Sequence, residues 1–395
     1  MKERLLEDVF EFIRNGASIK QSEGKQGCPI TRIETIWNKT IDNERFGFAD
    51  IFENDLSKYQ KYLMRKGDIL MSHINSPKHL GKSAIYKGKP ELLLHGMNLL
   101  ALRPNTAISF PQYLSYYLNS KLFKVQLPKI SNQSVNQASF SSGKLKKLSV
   151  PLPPLEQQKK IAAILDAADI YRQKTKALIT KYDELTQSLF LDMFGSLVGD
   201  KISLSTICDI NPKKSEISSV DRSTLVSFMP MANVSVEGQV SHIEERTIDE
   251  VWSGFTYFKE NDVVFAKITP CMENGKGAIM RNLKNSVGFG TTEFHVLRPL
   301  KAHSTAEYLF HLTHSEHFRA LAEVNMTGSA GQKRVPRDFF DKFKVVAPAL
   351  ILQNQFAERV QAIEVQKAQA QASLAQAEDL FNSLLQRAFK GELNS

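Results

Sequence analysis

The sequence predicts an α+β chain in which one pattern is written twice, each copy a mixed α/β unit followed by a long helix. Three observations carry this: residues that recur at one fixed offset, short β-type runs broken by Gly, Pro, Asn and Ser clusters, and two stretches with heptad-spaced apolar residues.

The repeat comes first. Leu102-Arg103-Pro104 returns as Leu297-Arg298-Pro299 and Tyr113-Leu114 as Tyr308-Leu309, both 195 residues on. Ser134, Gln137 and Val150 return as Ser329, Gln332 and Val345, and Pro153, Leu155, Gln158 and Ala162 as Pro348, Leu350, Gln353 and Ala357. The register still holds where Leu185, Ser188, Leu189 and Phe194 match Leu380, Ser383, Leu384 and Phe389. Upstream, Lys66-Gly67-Asp68-Ile69-Leu70 resembles Glu260-Asn261-Asp262-Val263-Val264 one residue out of step. The chain therefore divides into globular stretches at 1–152 and 199–347 and helical stretches at 153–198 and 348–395.

In the globular stretches Ile69-Leu70-Met71 and Val263-Val264-Phe265 read as strands. Each helical stretch opens after prolines (Pro151, Pro153 and Pro154, later Pro348) and closes at Gly195 or Gly391. Its apolar residues alternate in steps of four and three. The first seam is Ile161, Leu165, Ala168, Arg172, Thr175, Ile179, Tyr182, Thr186, Leu189 and Met193. The second is Phe356, Val360, Ile363, Lys367, Ala370, Leu374, Ala377, Phe381, Leu384 and Ala388. This spacing marks a coiled coil. Arg172 and Lys367 put a base at one seam position in each copy, either to fix register or as an exposed, snorkelling side chain. Ile164, Tyr171, Leu178 and Leu185 form a second apolar row on the first helix. That row implies a partner subunit, with a contact to the flanking domain as the alternative.

Composition excludes several classes. Of 395 residues, 42% are hydrophobic and 24% charged, values ordinary for folded domains. The cysteines, Cys28, Cys208 and Cys271, are too few and too scattered for a disulfide framework or a cysteine zinc site. The charged start, Met1 to Asp8, does not read as a signal peptide, and no apolar run reaches membrane-spanning length. A soluble cytoplasmic protein is expected. Residues 1–150 hold 23 basic and 13 acidic side chains, whereas 199–347 hold 18 of each, so the whole excess behind the net charge of +9 lies in the first unit. A basic surplus confined to one segment suits a polyanionic partner.

Catalytic signatures are missing. Ser76-Pro77-Lys78-His79-Leu80-Gly81-Lys82-Ser83 resembles a phosphate loop, but Ser76 stands where the first glycine is needed. Neither a Gly-x-Gly-x-x-Gly loop nor an Asn-Pro-Pro-aromatic methyltransferase tetrad occurs. His311, His314 and His317, three apart on an expected helix, are a candidate metal group or simply a solvated face. Glu23-Gly24-Lys25 resembles a nuclease fragment without its acidic partner. Neither a catalytic residue nor a metal site is expected.

Polar loop residues recur instead at matching places. The first unit offers Ser72, His73, Asn75, Lys78 and Lys82, and the second Lys267, Thr269, Glu273, Asn274 and Lys276. A second cluster precedes each helix: Asn132-Gln133-Ser134-Val135-Asn136-Gln137 with Lys144, and Gly328-Ser329-Ala330-Gly331-Gln332-Lys333-Arg334. Amides, hydroxyls and bases on loops read base edges, while lysine and arginine hold phosphates. Thr269, Glu273 and Asn274 are expected at bases, Lys333 and Arg334 at phosphates. Ordinary turn composition is the alternative for any one of them.

Val150-Pro151-Leu152-Pro153-Pro154-Leu155-Glu156-Gln157-Gln158-Lys159-Lys160-Ile161, leading into a long helix, resembles the boundary motif of type I restriction–modification specificity subunits. Phe228-Met229-Pro230-Met231-Ala232-Asn233-Val234, Phe265 to Lys276, and Gly328 to Lys333 resemble that family's target-recognition domain. The first unit departs from the pattern, with Met71-Ser72-His73-Ile74-Asn75 in place of Phe-Ala-Lys-Ile-Thr, and Ala349 stands where the first boundary has Pro154.

The resemblance implies two target-recognition domains, each reading one half of a split double-stranded DNA site, held apart by two antiparallel coiled-coil helices with pseudo-twofold symmetry. It implies a non-catalytic chain that binds two modification subunits, which methylate adenine N6 from S-adenosylmethionine, and restriction subunits driven by ATP and Mg. A helix over 156–193 is about 57 Å long, or roughly 17 base pairs, enough to separate two half-sites. Differing loops in the two copies predict an asymmetric target with a spacer of fixed length. The rival readings are a self-contained restriction–methylation enzyme and a structural coiled-coil scaffold.

Overall fold

A computed structural model describes residues 2–22, 24, 26–51, 53–135, 137–329 and 331–393. Glu23, Lys25, Asn136 and Ala330, named above, lie outside the described residues. The chain forms two compact units: Met1–Thr175 with Ala372–Ser395, and Lys176–Gln371.

At the centre of unit 1 is an antiparallel sheet in the order Phe10–Asn15, Leu99–Pro104, Ile69–Ser72, Ser83–Ile85. The strand Ile69–Ser72 leaves a turn in which Gly67 has φ 96°, a left-handed conformation that glycine adopts without strain. The Asp68 carboxylate closes that turn by accepting from the Arg65 N–H at 2.7 Å. It also takes Arg103 in a fork, Nε at 2.8 Å and Nη2 at 2.7 Å. Unit 2 repeats the arrangement with Cys208–Ile210, Phe294–Pro299, Val263–Ala266 and Gly277–Ile279. Asn261 takes the left-handed turn position at φ 67°. Asp262 accepts from the Lys259 N–H at 2.7 Å and from Arg298 at 2.8 and 2.7 Å. The one-residue slip seen in the sequence thus preserves a buried, bidentate carboxylate–guanidinium pair in both copies.

The units differ in the extent of a second sheet. In unit 2 it has four full strands, in the order Glu244–Thr247, Leu225–Met229, Val287–Gly290, Thr256–Lys259, while unit 1 reduces it to the ladder of Cys28–Ile30 with Gly47–Ala49 and single bridges. Unit 1 keeps this sheet in reduced form, Ile30 bridging Leu94 in parallel and Leu63 bridging it antiparallel, so the repeat loosens there in its side chains while the strand partners persist.

The long helices run Leu155–Phe194 and Leu350–Lys390. The second stops at Gly391, φ 84°. A fully buried glutamine anchors each helix start to its own unit. Gln158 Nε2 donates to the carbonyls of Ile108 and Pro153 at 2.9 and 2.8 Å, and its Oε1 accepts from the Phe110 N–H at 2.8 Å. Gln353 does the same with His303, Pro348 and the Thr305 N–H at 2.9, 2.9 and 3.0 Å.

Within unit 1, Ile161, Ala162 and Leu165 share a core with Tyr113, Tyr117, Phe381, Leu385 and Phe389, so the start of the first helix packs on the end of the second. Within unit 2, the rings of Phe190 and Phe194 meet Phe356 at 5.6 and 5.1 Å, so the end of the first packs on the start of the second. The packing is antiparallel in each unit. All twenty seam positions are buried or half-buried. Ile164, Tyr171, Leu178 and Leu185 are 43–54% exposed, so their row does not serve as a local core contact.

Neither seam base is a snorkelling one. Lys367 is 3% exposed, with Nζ 2.6 Å from Asp183 Oδ1 and 3.7 Å from Glu364 Oε1. Arg172 is half-buried, pairs with Asp169 and lies 4.5 Å over the Phe381 ring.

The three histidines do not share one helix. Ser315 ends Ala306–His314 and caps Glu316–Val324 through the Phe318 N–H, so His317 starts a new element. No group of three metal-ligating side chains occurs among the described residues. Burial lowers His311 to about 3 and His314 to about 4, which makes both neutral packing groups. Cys28, Cys208 and Cys271 are free thiols. Among the described residues no helix is long and apolar enough to cross a membrane.

Candidate nucleic-acid interface

In each unit the structure joins the two polar clusters that are far apart in sequence. In unit 1, Ile74–Asn75, Ala138–Ser139 and Asn132–Gln133 form a three-stranded ladder, with Asn75 opposite Ala138, Ile74 opposite Ser139 and Asn132 opposite Ser139. The Phe140 N–H donates to the His73 carbonyl at 3.0 Å and extends the ladder. Asn132 and Gln133 on it, and Gln137, Lys78 and Lys144 on the segments that flank it, are exposed, and Asn75 and Lys82 are half-buried. Lys144 Nζ lies 3.5 Å from Asn132 Oδ1.

Two expected contacts sit elsewhere. Ser72 and His73 are only 1% and 6% exposed, beneath the loop rather than on it. Ser72 is the last residue of a buried strand, and its Oγ accepts from Asn75 Nδ2 at 3.2 Å. Burial lowers the His73 pKa, so the ring is neutral, and it packs edge-on to Phe140.

Unit 2 builds the same ladder from Lys267–Thr269, Lys333–Val335 and Thr327. Ile268 bridges Arg334, and Arg334 bridges Thr327. The Thr269 N–H donates to the Lys333 carbonyl at 3.0 Å and the Val335 N–H to the Lys267 carbonyl at 2.9 Å. Past it the chain turns through Gly275, φ 77°, whose N–H reaches the Met272 carbonyl at 2.8 Å. Asn274, Ser329, Gln332 and Lys333 are exposed, and Lys267, Thr269, Glu273 and Lys276 half-buried. Thr269 Oγ1 donates to Glu273 Oε1, while Glu273 Oε2 is buried without a partner. Lys276 Nζ donates to the Met231 carbonyl at 3.4 Å.

The Arg334 side chain, 40% exposed, is forked onto a neighbouring carboxylate. Its Nε and Nη2 lie 2.9 and 2.8 Å from the Glu293 carboxylate, and Nη1 donates to the Gln332 carbonyl at 2.9 Å. The guanidinium keeps the Glu293 carboxyl below its ordinary range. In unit 1 the corresponding residues are Ser139 and Asn98, so both partners of the pair are exchanged together.

In each unit a further base, on a helix, reaches the loop and is not among the residues the sequence points to. Lys124 donates to the Gly81 carbonyl, and Arg319 Nη1 to the Glu273 carbonyl at 3.2 Å. Both lie 195 apart on matching helices, which was the available signal. Burial, with Lys39 and Lys82 nearby, pushes Lys124 down to about 8.

Comparison with known proteins gives the setting. Residues 1–185 match the family described as the type I restriction modification DNA specificity domain. The putative type I restriction enzyme MjaX specificity subunit of Methanocaldococcus jannaschii is 52% identical over 167 residues, 42% of this chain and 39% of that protein. The EcoEI specificity subunit of Escherichia coli is 43% identical over 148 residues, 37% of this chain and 24% of that one. The matched region is thus well under two thirds of either relative. A chain from a structure of complex assembly and conformational transition in a type I R-M system superposes with a TM-score of 0.59 over 99% of this chain and 98% of that one, at 14% identity. The type I S subunit from M. genitalium gives 0.53 over 98% and 96%, at 13% identity. At those identities the likeness is one of fold.

Proposed function

We propose that this chain, a relative of the type I restriction–modification specificity subunits, is the DNA sequence-specificity subunit of such a complex. The observation that carries the reading is the paired ladder. Both units bring an amide- and hydroxyl-bearing loop against a second polar cluster about sixty residues away, on matching strands, with different side chains in each. One scaffold presenting two unlike sets of donors and acceptors suits an asymmetric, two-part duplex target.

In this reading each unit reads one half-site. The first long helix, 40 residues or about 60 Å, fixes the spacer. The exposed row Ile164, Tyr171, Leu178 and Leu185 docks a modification subunit. Chemistry belongs to the partners. Modification subunits supply S-adenosylmethionine-dependent adenine methylation after base flipping, and restriction subunits supply ATP- and Mg-dependent action. This chain selects the site and is not itself catalytic.

Selection of duplexes from a randomised pool by the full chain assembled with its modification subunits tests the proposal. Two short, unlike motifs at one fixed separation are expected. Recovery of unselected sequence, or of one contiguous motif, overturns it.

A further inference from the structure

Both units pack the same small hairpin on the central sheet. In unit 1 Ile36 pairs with Ile41 and Trp37 with Thr40, and in unit 2 Val234 bridges Val240. Ile36 and Ile41 sit in a core with Leu70, Ala84 and Leu99, and Val234 and Val240 in one with Val264, Ala278 and Phe294, the corresponding positions of the repeat.

The tips differ. The unit 2 tip, Ser235-Val236-Glu237-Gly238-Gln239, carries an acid and is closed against its own helix: a Cβ on Gly238 would come 2.2 Å from the Phe310 ring. The unit 1 tip is Asn38-Lys39, with φ of 47° and 64°, the two left-handed residues of a tight hairpin turn. Trp37, Asn38, Lys39 and Thr40 are all exposed, Trp37 by 47%. The indole is nevertheless fixed. The Arg45 guanidinium lies 4.1 Å over its ring and is itself anchored to Asp42 at 2.9 Å. The strand Thr40–Ile41 packs on Ser83–Ile85, directly after Lys82 of the candidate loop. Lys39 and Lys82 both lie close enough to Lys124 to disfavour its charge. Lys39 and Lys82, in the half that holds the whole basic excess and beside an exposed but immobilised indole, match the chemistry of a DNA backbone with its adjoining sugars and base edges, while Lys124 lies tied to the Gly81 carbonyl.

We propose that the Trp37–Thr40 hairpin is a further DNA-contacting element of unit 1, a role the acidic, closed tip of the unit 2 hairpin does not share, with Lys39 on a backbone phosphate and the Trp37 indole against the neighbouring sugar and base edge. The inference rests on the specificity-subunit reading.

The test titrates the full chain, assembled with its modification subunits, against a fluorescein-labelled duplex of mixed sequence over a range of salt. Lys39→Gln is expected to shrink the slope of log K against log salt by about 0.9, the loss of one phosphate contact. Trp37→Ala is expected to weaken binding about tenfold, as for a fixed aromatic anchor, with the slope unchanged. Trp37→Phe keeps the affinity, and Glu237→Gln on the other hairpin does not lower it. Thermal melting equal to the parent's shows that the variants fold. Lys39→Gln and Trp37→Ala complexes with parental affinity and slope overturn the inference while the specificity reading stands. A parent complex that binds no duplex overturns both.

Discussion

Lys367 Nζ lies 2.6 Å from Asp183 Oδ1, a bond from one long helix to the other, and the lysine is 3% exposed while the aspartate side chain is 46% exposed. The asymmetry decides what each substitution does. Asp183→Ala leaves a buried ammonium with only Glu364, at 3.7 Å, to oppose it, and should cost about 1–2 kcal/mol after allowance for screening at the wet partner. Lys367→Met removes the buried charge, fills the same stem volume and lets Asp183 rehydrate, so stability should hold or rise. Thermal melts of the two variants check this, and equal losses contradict it.

Gln158 and Gln353 each satisfy two carbonyls and one N–H at full burial. Gln353→Leu should cost about 3 kcal/mol, because the carbonyls of His303 and Pro348 and the Thr305 N–H lose their partner without gaining water. Gln158→Leu should cost a similar amount in unit 1. Denaturant titration measures both, and a loss under about 1 kcal/mol would show that water replaces the amide.

Lys333 and Arg334 are neighbours, and only Arg334 is forked onto a carboxylate. Lys333→Ala should weaken duplex binding for every sequence alike and reduce the salt slope by about 0.9. Arg334→Ala strands Glu293 and should lower stability first. Pairing Arg334→Ser with Glu293→Asn, the combination unit 1 carries, should restore much of that loss. Melting of the single and double variants reads the coupling, and strictly additive losses would contradict it.

His95 and His295, 1% and 4% exposed, are held by burial at about 4. Above the unfolded value near 6.5 neither state binds the proton, so the full stability is present. As pH falls from there towards 4 the unfolded chain takes up protons that the folded one refuses. Stability therefore declines across that window, on the order of 3 kcal/mol per histidine, and levels off below it. Denaturant midpoints between pH 7 and 4 should fall accordingly. An NMR titration showing either ring protonating near 6.5 would contradict the burial argument.

The elements legible in the sequence were those written by period or punctuation. The heptad seams, the proline starts, the Gly391 stop and the Asp68 and Asp262 strands all stand where spacing puts them, because each depends on neighbours a few residues away. The role of Gln158 and Gln353 was visible only as a repeat, since their partners are about fifty residues distant. The same distance hid the ladder: nothing local in Ile74-Asn75 announces Ala138-Ser139. His73 reads as a polar contact residue, and Arg334 as a base without its acidic partner, because sequence shows a side chain's chemistry and not its neighbours. One is buried against Phe140 and the other forked onto Glu293. The second sheet of unit 2 survives in unit 1 only as the Cys28–Ile30 ladder and single bridges to Leu94, built from unlike side chains, so the offset does not show it.

The most direct test of the central claim is a genome-wide map of N6-methyladenine with this gene intact and with it deleted. Loss of one split, asymmetric motif with a fixed spacer on deletion is the predicted result. An unchanged map, in cells where the modification subunit is expressed and active, would contradict the assignment of site selection to this chain.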